Sequence, residues 1–521
     1  MKDLPPHPHL DHLKKQAKIL LAACRAHDSQ ALARIRASLP AASRQHDPDI
    51  FAMALRLHDA QSCIAREYGF ASWTLLRDYV GAQALPAVDA GALLDRWRSW
   101  AFGAGHRSAR PQLAARLLRE HPRLLDDRPA LACAAGDLAR VREQLAGDRA
   151  WARLRGAPGA MSPLQCACFS GLIRLPEYAP GIRACAALLL EAGADPHDAW
   201  IDPAAPGEPL SPLYAAAGRH HDAGLTRLLL AAGADPNDNE SLYHATEAPD
   251  SACVRLLLEA GARVTGCNAL YRSLDFEHPQ TTRLLLAHGG DPNEPSRLGP
   301  PLAHAVRRRR SPEVIGLLLA AGADPASANA HGVGAWRLAR ITGQTEVAAM
   351  LREAGAAVQE SPRDAFLAAC ARADRDTVRA MLAQKPGLIA ALGQRELRLL
   401  PELAATGCDE AVRVMVEAGW PVAVPGGDIR GSALNQAVFR GDSALAAFLL
   451  AHGAHYDERH GYDDNVYGTL SFASLAEITP AGDWLGCARA LVESGAPLPA
   501  ERYAFSDEVA AYFEELRNAA A

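Results

Sequence analysis

The stretch RLLLAAGADPND, Arg227 to Asp238, sets two acids, an Asn and a Pro directly after a triplet of leucines. It reads either as an acidic site, one able to hold a metal, or as a structural unit. Repetition decides between them. LLLEAGADPHD occurs at Leu188–Asp198, LLLEAGARV at Leu256–Val264, LLLAHGGDPNE at Leu284–Glu294 and LLLAAGADPAS at Leu317–Ser327. Weaker copies follow at Leu351–Val358, Met415–Val422, Leu449–Asp457 and Leu491–Pro499. With glycine as register, Gly193, Gly233, Gly261, Gly289, Gly322 and Gly355 are 40, 28, 28, 33 and 33 residues apart, and Gly419 and Gly453 are 34 apart.

A second element recurs in step with the first. SPLQCAC (Ser162–Cys168) and SPLYAAA (Ser211–Ala217) are its clearest forms, with degenerate versions at Ser241–Thr246, Ala269–Leu274, Pro301–Val306 and Ala433–Val438. A period of about 33 residues carrying a T-P-L-H-x-A-like element is the ankyrin period. Each piece has a physical reason. Ser162 and Ser211 suit a helix start, and the Pro after each sits where no N–H is needed. The leucine triplet forms a second helix that is apolar on more than one face because it packs within its own repeat and on the next. Gly233 ends that helix in the left-handed conformation, Pro236 forbids its continuation, and Asp235 and Asn237 suit a turn.

Composition agrees with a repetitive fold. The chain has 521 residues, beyond the ~250–300 at which a single core stops growing. It is 49% hydrophobic without a long unbroken apolar run, so no membrane span and no membrane partner are expected. The start, MKDLPPHPHLDHLKK, lacks the apolar centre of a secretion signal. Eleven cysteines, an odd number lying mostly in helical segments, point to reduced thiols and a cytoplasmic location. A formal net charge of -6 gives no general attraction to nucleic acid.

The expected fold is all-α, an ankyrin solenoid of about a dozen helix-turn-helix repeats with a small helical N-terminal domain. Residues 1–83 read as that module, since Leu13, Ala17, Leu20, Leu21 and Cys24 recur at helical spacing. Residues 84–125 read as a junction with a degenerate first repeat, 126–358 as a first block of repeats, 359–505 as a second block with insertions, and 506–521 as a polar capping helix. Within the second block, Asp364–Pro386 restores the register between Gly355 and Gly419, otherwise 64 residues apart. The chain resembles a family of large bacterial ankyrin-repeat proteins with a helical N-terminal module. LKKQAK (Leu13–Lys18), AREYGFASW (Ala65–Trp73), SPLQCACFS (Ser162–Ser170) and the run Asn237–Ala262 carry the resemblance. It implies a fold and a capacity for interaction, with no catalytic residue to carry over. Two 28-residue spacings leave little chain for extended hairpin fingers in those repeats.

Several constellations invite a chemical reading and have a structural one beside it. His7, His9 and His12 lie in a Pro-rich terminal tail, which offers a metal neither fixed ligands nor a second shell. Cys166 and Cys168 do not share a helix face and lack a second pair, so they read as core residues rather than zinc ligands. His452, His455, Asp457, His460, Asp463 and Asp464 form the densest His/Asp group, by default a solvated loop. The run Arg307–Arg310 reads as a surface turn, with an acidic peptide or phosphate partner as the minority reading. RWRSW (Arg96–Trp100) reads as packing. No phosphate-binding loop, zinc-protease helix or nucleophile elbow occurs. No cofactor and no metal site are expected.

Function is therefore sought on the surface the repeats leave free. The end of each first helix and the hairpin tips line the concave side on which extended solenoids bind partners. That register selects Phe169, Arg219, Glu247, Asp275, Phe276, Arg307, Arg308, Ile341, Phe439 and Arg440, with Trp200 from the inserted tip loop His197–Leu210. The expectation is a non-enzymatic scaffold binding a protein partner through these residues. An enzyme or small-molecule sensor, with a pocket beside the N-terminal module or under the inserted loops, remains an alternative, as does a secreted effector acting in a host cell.

Overall fold

The computed structural model describes residues 2–520 apart from 3, 6, 7, 40, 41, 43–45, 53, 54, 56, 71, 84–89, 104–108, 156–160, 202–206, 208, 477–481 and 501. His7, the first junction residues after 83 and much of the 202–208 insertion thus lie outside the described residues. Among the described residues the chain is all helical, with three isolated bridges in place of strands: Trp200 with Leu210, Ala328 with Gly334, and Gly426 with Gly431. Contacts divide it into two compact units, one of residues 87–339 and 345–358, the other of 1–86, 340–344 and 359–521.

In the first unit, short first helices follow one another: Pro163–Phe169, Tyr214–Arg219, Ser241–Ala245, Ala269–Ser273 and Pro301–Arg307. Each is followed by a longer one carrying the leucine triplet, such as Ala223–Ala231 and Ala252–Glu259. The middle leucine of each triplet (Leu189, Leu229, Leu257, Leu285, Leu318) is fully buried, while the first of each is half-covered. One row thus fills the core and its neighbours seal adjacent repeats. Starts follow the sequence signals: Ser162 and Gln165 form a reciprocal capping box with Pro163 in the first turn. One helix departs from expectation. Tyr214–Arg219 is wound as a π-helix, in which the His220 N–H reaches back five residues to the Ala215 carbonyl at 3.1 Å.

The opening stretch becomes a stitch between repeats. Gly233 adopts φ +93°, and the Gly233 and Ala234 N–H groups return to the Leu230 and Leu229 carbonyls, closing the helix as a Schellman turn. Asp235 accepts the Asn237 N–H at 2.9 Å. The Asn237 side chain accepts the Arg263 N–H at 2.9 Å and donates to the Gly261 carbonyl at 3.4 Å, both in the next repeat. Asn293 repeats the stitch onto Asp324 and Gly322, each at 2.8 Å. Asp238 caps the helix that follows, accepting the Ser241 N–H at 2.8 Å and its hydroxyl at 2.6 Å. All three polar side chains are consumed by structure.

In the second unit, Leu10–Arg25 buries Leu13, Ala17, Leu20, Leu21 and Cys24, the row its periodicity marks. Glu67 ties this part together, receiving Lys2 at 2.6 Å and a two-pronged Arg34 at 2.7 and 2.9 Å. The degenerate segment after 359 folds as a helix pair, Pro362–Ala371 and Arg375–Gln384. The terminal helix Asp507–Ala520 packs against Leu57–Glu67, where the Ser62 hydroxyl donates to Glu508 at 2.7 Å. Its polar composition conceals a buried side of Val509, Tyr512 and Phe513.

Candidate protein-binding face

Three consecutive first helices end in one connected row of charged side chains. They lie one repeat apart, so residues at the same helix position stack. His244 Nδ1 lies 2.7 Å from Glu247 Oε1. Glu247 Oε1 also receives Arg272 Nε at 3.0 Å and Nη2 at 2.9 Å. Arg272 Nη1 donates to Asp275 Oδ2 at 3.0 Å. Asp275 Oδ1 then meets His304 Nε2 at 3.2 Å and Arg308 Nε at 2.7 Å. The Arg272 guanidinium lies over the rings of Tyr243 and Phe276, 5.5 and 5.0 Å from their centroids. The Phe276 ring stacks on His278 with 5° between planes.

Electrostatics follow from this placement. Burial raises the Asp275 and Glu247 carboxyls, yet their cationic and imidazole partners outweigh it and hold both below the usual range. Burial pushes His304 down, more than Asp275 raises it. At 1% exposure it is part of the core, its ring edge-on to Tyr271 and its charge opposed by Arg307 and Arg308. The unfolded chain takes up a proton here near pH ~6.5 while the folded chain resists it, so stability falls as pH drops below that value. Asp275 acts later and in the same sense, its stabilisation being lost progressively as pH falls from the ordinary Asp range, where the unfolded chain protonates, down to its depressed folded value. We expect the unfolding temperature to decline from pH 7.5 to 5 and the His304→Gln variant to decline less. Equal slopes in thermal melts would contradict the assignment.

Other sequence-selected residues fall elsewhere. Phe169 is fully buried, so its side chain is not free to contact a partner. Trp200 from the inserted loop meets it edge-to-face at 5.3 Å, and Arg219 lies over its ring at 5.9 Å. Arg219 also donates to the Phe102 carbonyl. In the second unit Ile341 packs half-buried against the core, Arg440 bonds Asp409 at 3.1 Å and the Ala404 carbonyl at 2.8 Å, and Phe439 stacks on Phe472 at 6.2 Å. The 307–310 turn is partly neutralised, with Arg308 on Asp275 and Arg310 3.5 Å from Glu277.

Arg272 and His304 were not selected from the sequence. Both occupy the x of T-P-L-H-x-A, a position that is polar in four of the six copies (His244, Arg272, His304 and Gln436), so no local signal marks them beyond their shared register.

The remaining constellations keep structural roles. Cys166 is buried and its thiol is pushed up to about 12 by that burial; Cys168 is shifted in the same direction for the same reason. Trp97 and Trp100 are core residues. His452 contacts the Phe448 carbonyl, and Asp464 receives Tyr503 and Arg502. No three His, Cys, Asp or Glu side chains converge as metal ligands among the described residues, and none of the described helices is long and apolar enough to cross a membrane. A hollow of about 580 Å³ in the second unit is lined by Leu382, Ile389, Leu392, Leu397 and Pro421 with no ionisable side chain.

Comparison with known proteins bears on part of the chain. Residues 213–296 match the family model described as ankyrin repeats, in three copies. No curated protein matches the chain. The crystal structure of the human ASB11 ankyrin repeat domain is similar at 22% identity, covering 44% of this chain and 99% of that one, with a TM-score of 0.35, a degree of likeness that settles neither geometry nor function. Residues 213–296, which carry Arg219, Glu247, Asp275 and Phe276, are ankyrin repeats.

Proposed function

We propose that this chain is a non-enzymatic, cytoplasmic scaffold that binds a protein partner through the face formed by the first helices of residues 241–308. Ankyrin repeats are in general protein-interaction modules, and stacked repeats offer an extended concave surface for that purpose. The carrying observation is the unbroken Glu247–Arg272–Asp275–Arg308 row with Tyr243 and Phe276 flanking it. Aromatic and arginine side chains contribute most binding energy at protein interfaces. Here they are held in place by one another, which lowers the entropy lost when a partner orders them. Trp200 and Arg219 stand outside this row and serve, on this reading, as support within the same unit, while Phe439, Arg440 and Ile341 belong to the other unit and are proposed as contacts of their own.

The test is affinity capture from native extract with the intact chain and with a Phe276→Ala/Arg307→Ala variant, followed by titration of each specific partner recovered. Neither substitution removes a link of the row. We expect at least a tenfold loss of affinity, corresponding to about 1.4 kcal/mol. Full retention of every specific partner would refute the face.

A further inference from the structure

The row of first helices is electrically polarised. Residues 235–250 contain Asp235, Asp238, Glu240, Glu247 and Asp250 with no Lys or Arg, a formal charge of −5. One repeat on, residues 263–277 contain Arg263, Arg272, Asp275 and Glu277, which sum to 0. The equivalent residues of the next repeat, 291–310, contain Asp291, Glu294, Arg297 and Arg307 to Arg310, a formal charge of +3, with all five arginines at or after 297. None of the charged residues in the two outer segments is buried. The neutral middle segment pairs with part of each pole, Arg272 with Glu247 on one side and Asp275 and Glu277 with Arg308 and Arg310 on the other, and leaves Asp235, Asp238, Glu240 and Asp250 facing Arg297, Arg307 and Arg309 across it.

We propose that the partner presents an extended segment of opposite polarity, with acidic residues against the Arg297–Arg310 pole and basic residues against the Asp235–Asp250 pole. This rests on the protein-binding reading above and specifies the chemistry of what is bound. Packed helices lie about 8–10 Å apart, so the poles, two repeats apart, are separated by roughly 16–20 Å. An extended chain at about 3.3 Å per residue crosses that gap in five or six residues. Opposed charges would fix which way the segment lies and speed encounter more than they deepen affinity. A plain polyanion such as nucleic acid would meet the −5 pole unfavourably, and that makes a polypeptide the better fit.

The experiment uses the full-length chain and fluorescein-labelled peptides read by anisotropy. The first peptide carries three Glu, a six-residue Gly/Ser spacer and three Lys. A second has the same composition with Glu and Lys alternating, and a third replaces every charge by Gln. The variant protein is Arg307→Gln/Arg309→Asn. It spares Arg308 and Arg310, which hold Asp275 and Glu277, and Asn suits the left-handed backbone at position 309, φ +56°. We expect the segregated peptide to bind at least about tenfold more tightly than the alternating one. We also expect a similar loss in the variant and a strong weakening in 0.5 M salt, about where exposed charges are screened. Equal affinity for the segregated and alternating peptides, unchanged affinity in the variant, or tighter binding of duplex DNA or anionic phosphatidylserine vesicles would each overturn the proposal. If a native partner is lost on Phe276→Ala yet the segregated peptide fails to bind, polarity is refuted and the protein-binding face stands. If no native partner is captured at all, both fall.

Discussion

Asp275→Ala is expected to destabilise the repeats spanning 269–310 by about 3 kcal/mol, because it strands cations that the carboxylate serves. Asp275 is the junction of the row: it accepts from Arg272 at 3.0 Å and lies 3.2 Å from His304 and 2.7 Å from Arg308. His304 is 1% exposed and would lose the partner of its Nε2 in a site that water scarcely reaches. Arg272 would keep Glu247 and its two aromatic rings, so its share of the loss is smaller. Asp275→Asn separates charge from shape: it can still pair with His304 but leaves Arg308 without its counter-ion, and we expect a loss of about half that size. Since repeats contact mainly their neighbours, the damage is local. It is best read by hydrogen exchange of the amides in Ala269–Ser273 and Pro301–Arg307 alongside urea unfolding. A loss under 0.5 kcal/mol for Asp275→Ala would mean that the row is a loose surface chain of ion pairs, worth little singly.

Phe366→Ala is expected to cost more, about 3–5 kcal/mol. Phe366 is fully buried, and its ring stacks on that of Trp420, 6.4 Å away. Trp420 is itself anchored by its indole N–H to the Leu397 carbonyl at 3.0 Å, so it cannot swing in to fill the void. The residue matters because it belongs to the segment whose repeat signature is weakest, between Gly355 and Gly419. If 359–420 is a true pair of repeat steps, removing its central ring should unfold it and expose its neighbours to proteolysis. A change below 1 kcal/mol in urea unfolding would place Phe366 outside a packed core.

The fold was legible because its determinants are local and repeated. The register glycines, the capped SPL starts and the leucine triplets act within a dozen residues, and the observed helices begin and end on them. Helix Leu10–Arg25 buries the five residues its period marks for the same reason. The candidate face was only half legible. Glu247, Asp275, Phe276 and Arg308 are found from helix register, but their connection passes through Arg272 and His304, whose roles depend on one repeat lying on the next. The burial of Phe169 is not legible in its helix register, because the Trp200 ring that packs on it comes from an insertion that carries no periodic signal. The π-turn at Tyr214–Arg219 has no sequence signature beyond a run of small residues.

Hydroxyl-radical footprinting of the intact chain, free and with its captured partner, tests the central claim most directly. Binding across the first-helix row should protect Phe276, His278 and Tyr243 at least severalfold, with the exposed Tyr462 and Leu475 of the second unit unchanged. Unaltered oxidation of Phe276, His278 and Tyr243 in the saturated complex would contradict it, and would place partner recognition on another surface of the protein.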